Sequence, residues 1–218
     1  MIARPWVLLL AAGASRRFGS PKQLARIEGQ SLLRRMAQVA IASAPAGCVV
    51  VLGAAASRLR RELKELPVSI VVNRRWQEGL SRSLAAGITA LPSSARAALV
   101  LLVDQASIGP ADLELLAAAW REAPRSIVAS RAGGVLGPPA VLPRHLFRAL
   151  RSLRGDQGAR EFLRDSSRRV IGFDMPGAAA DIDVPADLAW VMRARARAQT
   201  PKSARSSRAR RPRSSGAT

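Results

Sequence analysis

The sequence predicts an α/β protein in which a mostly parallel sheet lies between two layers of helices, a Rossmann-like three-layer α/β/α arrangement. Short apolar and β-branched runs alternate along the chain with segments of helical periodicity. The apolar runs have few polar interruptions, which is typical of strands buried on both faces. The 218 residues are 48% hydrophobic, which is enough for one domain with a sizeable core. We find no internal repeat and no interdomain linker.

Six segments are predicted to be strands because they are apolar and bounded by turn-forming residues. They are Val7–Ala11, Cys48–Leu52, Val68–Val72, Ala98–Val103, Ser126–Ala129 and Arg169–Phe173. Seven segments have the apolar spacing of helices. They are Ser31–Ser43, Ala55–Leu66, Leu80–Leu91, Pro110–Arg121, Pro143–Leu153, Gln157–Asp165 and Pro185–Ala198. Residues 131–142 are predicted to form a loop or short hairpin at the edge where the parallel strands end, which is where such sheets bind ligands.

The chain is strongly basic, with a formal net charge of +20. Residues 193–218 hold 9 of the 35 Lys and Arg residues and none of the 15 Asp and Glu residues, so residues 1–192 carry 26 basic and 15 acidic side chains, a net +11. Residues 200–218 have no apolar periodicity and are predicted to form a disordered basic tail. The basic body favours anionic substrates and is also compatible with weak, salt-sensitive binding of nucleic acid.

No apolar run approaches the ~20 residues that cross a bilayer, and no separate signal peptide precedes the first predicted strand. We therefore expect a cytoplasmic protein without a membrane partner. The single cysteine, Cys48, excludes an internal disulfide and opens an apolar strand, which predicts a buried thiol in preference to a nucleophile. The single histidine, His145, has no partner at zinc-like spacing and is predicted to be a surface or capping residue.

The most informative segment is Leu10–Leu24, which begins at the end of the first predicted strand. Its small residues let backbone N–H groups approach a ligand closely, and such groups bind phosphate oxygens. Arg17 and Lys22 lie in the same loop, where they can hold a polyphosphate. The loop matches neither G-x-x-x-x-G-K-[ST] nor G-x-G-x-x-G. The alternative is an ordinary Gly-rich turn with two solvated cations.

The order Leu-Ala-Ala-Gly-x-Ser-x-Arg-x-Gly-x-x-Lys-x-Leu over residues 10–24 resembles the signature loop of the MobA-like nucleotidyltransferases, and Gly29 with Leu32-Leu33 continues the match. The resemblance covers about residues 6–192. It implies a fold of the nucleotide-diphospho-sugar transferase type, with residues 1–199 as a single nucleotidyltransferase domain. It also implies nucleotide contacts from Leu10, Ala11, Ala12, Gly13, Ser15 and Lys22.

Asp104 directly follows the apolar run Leu99–Val103. An Asp at the end of a strand can hold Mg²⁺ beside nucleotide phosphates, or it can cap the next turn. The family has Asp-Gln-Pro or Asp-x-Pro at this point, and the resemblance implies that Asp104 contacts the nucleotide and binds the metal. This chain has Ala106 in place of the proline, which puts the geometry of the loop in question.

A second group of carboxylates lies in Ala180–Leu188, which resembles the family's Asp-Ile-Asp-Thr-Pro-Glu-Asp-Leu. The resemblance implies that Asp183 is the second Mg²⁺ ligand, with Asp181 as another candidate. Asp187 is predicted to lie in the first turn of the last helix, where the helix dipole favours it. The alternative for the whole group is the chemistry of a helix start, with Pro185 at the first helical position.

Asn73–Gly87 is similar to the family element Asn-x-x-Trp-x-x-Gly-x-x-x-Ser-Leu-x-x-Gly. The resemblance implies that Gly79 and Ser83 lie against the base and ribose of the nucleotide. Trp76 is interpreted as a packing residue in preference to a base-stacking one.

Two segments resemble elements of the branch that makes molybdopterin cytosine dinucleotide. Residues 155–163 are similar to Gly-Asp-x-Gly-Ala-Arg-x-Leu-Leu, and residues 137–139 are similar to Gly-x-Pro. The acceptor contacts implied by these matches are Gly137, Asp156 and Arg160. The alternative for Asp156 and Arg160 is a capped helix with a solvated arginine.

The resemblance thus implies an enzyme that transfers CMP from CTP to the terminal phosphate of molybdenum-molybdopterin, with Mg²⁺ as cofactor and Arg17, Lys22 and Asp104 as catalytic residues. Ala12 favours CTP, because family members with Leu-Ala-Gly-Gly use GTP. The implied client is an apo-molybdoenzyme of the xanthine dehydrogenase or carbon monoxide dehydrogenase type. The alternatives are a guanylyltransferase of the same family, a non-catalytic molybdenum cofactor carrier or insertion factor, and a nucleic-acid-binding protein acting through its tail. The last is disfavoured, since the body is poor in aromatic residues and has no nucleic-acid-binding motif.

Overall fold

The computed structural model of the chain describes residues 3–43, 45–153 and 169–189. The strands in these residues are β1 (Trp6–Ala11), β2 (Arg26–Ile27), β3 (Gln30–Ser31), β4 (Gly47–Leu52), β5 (Ser69–Val72), β6 (Ala97–Leu102), β7 (Ile127–Ala132), β8 (Val135–Pro143) and β9 (Val170–Asp174). The α-helices are α1 (Leu32–Ala42), α2 (Ala56–Glu62), α3 (Leu80–Ala90), α4 (Pro110–Glu122) and α5 (Phe147–Ser152). Residues 185–189 are also helical. No helix among the described residues has the length and apolar content needed to cross a bilayer.

Seven strands form one sheet in the order β5-β4-β1-β6-β8-β7-β9, and β2 and β3 form a small separate hairpin. β5, β4, β1 and β6 are parallel to one another, β9 is parallel to β7, and β8 is antiparallel to both of its neighbours. This topology confirms the predicted mostly parallel α/β sheet. The chain order reverses between β1 and β6, and the crevice at such a switch point is where parallel sheets bind ligands.

Each face of the sheet is covered by a layer of helices. Val7 and Leu9 of β1 lie in the core that α1, α2 and α4 complete, whereas Leu8 and Leu10 lie in the core that α3 and α5 complete. Because neighbouring residues of one strand point into opposite cores, the strand must be apolar throughout. Cys48 of β4 is buried, as predicted, and burial raises the pKa of its thiol to about 12.

The prediction for residues 131–142 was only partly right. They form a hairpin, but its second strand, β8, is a nine-residue strand inside the sheet, between β6 and β7. Its glycine and prolines made the segment look like a loop. Pro138 and Pro139 are accommodated because the pairing of β7 with β8 shifts register between Ala129 and Ser130, so neither proline has to donate to the ladder.

Several predicted helix boundaries also differ from those observed. Pro143 still pairs with Ala97 in the sheet, so the helix expected from Pro143 begins as a 3₁₀ turn over Arg144–Leu146 and continues as α5. α2 ends at Glu62, four residues before the predicted end. His145 is exposed in the 3₁₀ turn, in agreement with the prediction. The predicted helix Gln157–Asp165, most of Pro185–Ala198 and the tail 200–218 lie outside the described residues.

Candidate active site

A cavity of about 460 Å³ opens beyond the carboxyl ends of β1 and β6, at the switch point of the sheet. It is bordered by the loop after β1, the turn after β5, the end of β6 and the segment after β9. The predicted site residues that line it are Leu10, Ala11, Ala12, Gly13, Ser15, Arg17, Lys22, Gly79, Ser83, Asp104 and Asp183. Residues that are distant in sequence are therefore brought together in one place.

The three residues predicted on the acceptor side are not brought to this cavity by the described part of the chain. Gly137 pairs with Ser130 in the β7–β8 hairpin and is not among the lining residues. Asp156 and Arg160 lie outside the described residues, so their roles stay predictions.

The loop after β1 leaves room for a ligand close to its backbone. Ser15 has a positive φ of 55°, a 3₁₀ turn follows over Arg16–Phe18, and Gly19 closes it with a φ of 77°. A Cβ added at Gly13 would meet no atom within 4 Å. A turned backbone that borders open space can present N–H groups to phosphate oxygens.

Gln23 fixes the shape of this loop through hydrogen bonds from its side chain. The sequence analysis did not identify it as a site residue. Its side chain is buried; Nε2 donates to the carbonyl oxygens of Ala11 at 3.1 Å and Gly13 at 2.8 Å, and Oε1 accepts from Ser15 Oγ at 3.2 Å. One amide thus satisfies both ends of the turn. The sequence offers only a weak signal for this role, because a solvated glutamine beside Lys22 would look the same.

The Lys22 ammonium lies between two carboxylates. Its Nζ is 2.6 Å from Asp104 Oδ2 and 3.2 Å from Asp183 Oδ1, and the Lys22 side chain is only 13% exposed. Arg17 Nη2 lies 2.8 Å from Asp183 Oδ2. Burial lowers the pKa of Lys22, but the charges of Asp104 and Asp183 and their hydrogen bonds outweigh it, so the pKa is raised above its usual value. The lysine therefore stays charged and bridges the two carboxylates.

Asp104 retains an unused oxygen. Its Oδ1 is buried and has no hydrogen-bond partner among the described residues, although Oδ2 contacts Lys22. The backbone carbonyl of Asp104 accepts from Ala106 N at 2.9 Å and from Ile182 N at 3.1 Å. A proline at position 106 could not make the first of these bonds. The alanine therefore contributes a hydrogen bond that holds the turn, and the second bond places Asp183 next to Asp104.

The backbone around Asp183 is held from its other side by Asp187. The Oδ2 of Asp187 accepts from the backbone N–H groups of Asp183 at 2.8 Å and Val184 at 2.9 Å. The bonds from Val184 and Asp183 lower the pKa of the Asp187 carboxyl. Asp187 is the third residue of the helical stretch 185–189, so its predicted place in the first turn is confirmed.

These carboxylates suit a cation that is shared with a phosphate ligand. Among residues 3–43, 45–153 and 169–189, no group of three or more His, Cys, Asp or Glu residues is arranged to hold a metal on its own. Mg²⁺ is usually held by one or two carboxylates together with substrate phosphates and water. Asp104 and Asp183 supply that number of ligands, and the unpartnered Oδ1 of Asp104 is a hard oxygen available to a cation.

The other wall of the cavity is less charged. Gly79 has a φ of 99°, in the region that favours glycine, and it directly precedes α3. Asn73 Nδ2 donates to Ser83 Oγ at 3.1 Å, which orients the serine in the first turn of α3. Trp76 is partly buried and lines the cavity, so it both packs and borders the ligand space.

Gly53 lets three segments meet behind this wall. A Cβ added at Gly53 would lie 2.5 Å from the Ala12 carbonyl oxygen, 2.6 Å from Trp76 Cβ and 2.8 Å from Ala12 Cβ. The carbonyl of Ala12 also accepts from Ala54 N at 3.0 Å. The position of Ala12 therefore depends on the absence of a side chain at residue 53.

A family model described as "MobA-like NTP transferase domain" matches residues 7–170. The chain is 28% identical over 200 residues to "Purine catabolism protein PucB" of Bacillus subtilis, covering 86% of this chain and 95% of that protein. The crystal structure of a homologue of Rv0371c from Mycobacterium sp. strain JC1 matches with a TM-score of 0.79 at 26% identity, covering 91% of this chain and 100% of the other. A manganese complex of Rv0371c from Mycobacterium tuberculosis has a TM-score of 0.74 at 23% identity, covering 88% and 99%. The structural matches confirm the predicted type of fold.

We expect Gly53→Ala to weaken binding of a nucleoside triphosphate several-fold and to destabilise the fold by about 1–3 kcal/mol, because Ala12 and Trp76 must move. Gly13→Ala is the matched control. Its methyl meets no protein atom, so thermal unfolding should be unchanged, whereas triphosphate binding should fall if the backbone of the loop contacts phosphate. Calorimetric binding and unfolding measure both effects. Equal unfolding temperatures for the two variants would contradict the expectation for Gly53.

Proposed function

The chain belongs to the MobA-like NTP transferase family, and we propose that it transfers CMP from CTP to the terminal phosphate of molybdenum-molybdopterin, with pyrophosphate leaving. One observation supports the proposed transfer of a nucleotidyl group. Arg17, Lys22, Asp104 and Asp183 are joined by ion pairs in a cavity that is also lined by the loop after β1. This is a charge arrangement for binding a triphosphate and a cation together.

The choice of CTP is supported by Ala12. Its methyl group and carbonyl pack against Gly53 behind the wall, which fixes the place of Ala12 among the residues that line the cavity. The Leu-Ala-Ala-Gly sequence of the loop, which resembles that of the family's CTP-dependent members, agrees with this choice.

The choice of acceptor is supported by the resemblance of residues 137–139 and 155–163 to the cytosine dinucleotide branch. PucB is named as a purine catabolism protein. A relative of that description supports a client enzyme of the xanthine dehydrogenase type, because such an enzyme oxidises purines.

The proposed transfer does not require a general base. The attacking phosphate oxygen is already anionic, so the protein has to position it in line with the α-phosphorus and neutralise charge. In this proposal Arg17, Lys22 and the loop backbone bind the β- and γ-phosphates and stabilise the departing pyrophosphate. Lys22 must then exchange its contacts with the carboxylates for contacts with phosphate.

Asp104 and Asp183 would hold Mg²⁺, and their fit to it rests on the unpartnered Oδ1 of Asp104 and the convergence of both side chains. When bound, Mg²⁺ supplies neutralisation of the phosphate charge. The manganese in the Rv0371c complex supports a divalent cation in this fold.

The function is tested by pyrophosphate release from CTP, GTP and ATP with Mg²⁺, with and without molybdenum-loaded molybdopterin. We expect release only when CTP and the acceptor are both present. Release with GTP would keep the reaction type and overturn the choice of base. No release from a folded protein that binds the cofactor would favour a carrier or insertion factor.

We expect Lys22→Met to lower the rate of transfer about 10²-fold, because one donor to the leaving group is lost. The same variant should bind Mn²⁺ about tenfold more tightly without nucleotide, since no ammonium fills the gap between Asp104 and Asp183. Titration of Mn²⁺ followed by electron paramagnetic resonance measures this affinity. Lys64→Met, the same change at an exposed site, is the control and should alter neither quantity. Unchanged Mn²⁺ affinity in Lys22→Met would contradict the bridging role.

Asp104→Asn should lower the rate of transfer by about 10²-fold or more at any Mg²⁺ concentration, because a neutral amide is a poor ligand for Mg²⁺. The amide keeps the size of the side chain and can still accept from Lys22, so the fold should persist. Asp112→Asn is the matched control, since Asp112 only accepts from Gly109 N at the start of α4. A rate for Asp104→Asn equal to that of Asp112→Asn would remove the metal role from Asp104.

A further inference from the structure

Gln105 is buried directly behind the carboxylate pair. It is 2% exposed and follows Asp104, at the point where β6 ends. Its Nε2 donates to the carbonyl oxygens of Pro138 at 2.7 Å and Ala178 at 3.2 Å, and its Oε1 accepts from Leu102 N at 3.3 Å. Since both acceptors of Nε2 are carbonyl oxygens, the orientation of the amide is fixed.

These three bonds connect three separate segments. Leu102 is the last residue of β6, Pro138 lies in the irregular part of the β7–β8 pairing, and Ala178 lies in the 3₁₀ turn before Asp183. Pro138 is outside the regular ladder, so its carbonyl oxygen is satisfied by side chains, namely Gln105 and the hydroxyl of Ser130 at 2.8 Å. The same amide therefore contacts both the 3₁₀ turn that precedes Asp183 and the irregular part of β8.

The segment from Ala178 to Asp183 is tied to residues 104 and 105 at two points. Ile182 N donates to the Asp104 carbonyl, and Ala178 O accepts from the Gln105 side chain. Only four residues lie between Ala178 and Asp183. The distance between the Asp104 and Asp183 carboxylates thus depends on the Gln105 amide as well as on one backbone bond.

We infer that Gln105 is a positioning residue that sets the geometry of the Asp104–Asp183 pair for a divalent cation and links it to the start of β8. The inference rests on the proposed function for its meaning, but it concerns cation binding by the chain itself. Neither an apolar side chain nor a carboxylate can replace the amide. An apolar one leaves the Ala178 carbonyl and the Leu102 N–H without the bonds that Gln105 makes and removes one of the two donors to Pro138. A carboxylate faces both carbonyls without a donor.

Gln23 is a second buried glutamine and provides a matched control for Gln105. It is an equally buried amide, it follows Lys22 as Gln105 follows Asp104, and it also makes three hydrogen bonds. Its partners lie at the end of β1 and in the loop that follows it. Replacement of either glutamine by methionine removes the same number of bonds from the core, but only the change at Gln105 loosens the carboxylate pair.

The test is titration of the full-length chain with Mn²⁺ alone, followed by electron paramagnetic resonance, together with thermal unfolding. Gln105→Met should raise the apparent Kd for Mn²⁺ at least fivefold, whereas Gln23→Met should change it less than twofold. Gln23→Met should instead raise the KM for CTP. Ser130→Ala, which removes the other donor to Pro138, should leave the Kd for Mn²⁺ within twofold. Gln105→Asn keeps the donors but is one methylene too short, so it should give a smaller rise and serves if Gln105→Met does not fold.

A purely structural role for Gln105 predicts a different pattern. Both Gln→Met variants would then lose unfolding temperature by similar amounts, and the Kd for Mn²⁺ would stay at the wild-type value. That result overturns the inference while leaving the proposed transfer reaction intact. Conversely, a wild-type chain that binds Mn²⁺ but releases no pyrophosphate overturns the proposed function and leaves the role of Gln105 measurable. A wild-type chain that does not bind Mn²⁺ alone overturns the inference, whereas the transfer reaction, in which the cation is shared with phosphate, is still decided by pyrophosphate release.

Discussion

The site depends on one ammonium group held between two carboxylates. Lys22 brings together the loop after β1, the end of β6 and the segment after β9, which are far apart in the sequence. The side chains of Lys22 and Asp104 are 13% and 18% exposed, so neither charge is well solvated on its own. A charge that is partly removed from water requires its partner, and loss of either member leaves the other uncompensated. The contacts of Lys22 therefore stabilise the three segments in this arrangement.

This pairing explains how basic and acidic side chains can be assembled at one site before any ligand binds. Two adjacent carboxylates repel each other unless a cation lies between them, and two cations near one loop repel each other in the same way. Pairing Lys22 and Arg17 with Asp104 and Asp183 removes both problems at once. In the proposed function, a triphosphate would replace the carboxylates as the partner of Lys22 and Arg17, and a divalent cation would replace the basic groups as the partner of Asp104 and Asp183. Ligand binding would then be an exchange of partners that leaves little charge uncompensated.

The sequence predicts most of the strands, and it also predicts that the charged residues of the site come together. Each of these residues follows an apolar strand or lies near the start of a helix, and parallel strands end at one edge of the sheet. Gln23 and Gln105 could not be predicted as structural amides, since their roles come from carbonyl groups contributed by distant segments. β8 was missed for a related reason. Its prolines are compatible with a strand only because the register of β7 and β8 shifts beside them, and that shift is a property of the pair of strands. Local sequence can indicate which residues reach an edge, but not which backbone groups will face them there.

Ala106 departs from the family pattern, which has a proline at this position of the turn that carries Asp104. In the sequence alone, the missing proline puts the geometry of the loop after Asp104 in question. In the structure, residue 106 is fully buried and its N–H donates to the carbonyl of Asp104, a bond that proline cannot make. The same carbonyl accepts from Ile182, so the alanine adds to the restraint on the turn that carries Asp104. A chain that had lost catalytic activity would not be expected to gain a bond that restrains this carboxylate. With Arg17, Lys22, Asp104 and Asp183 all in contact, the departure at Ala106 favours an active transferase over a carrier.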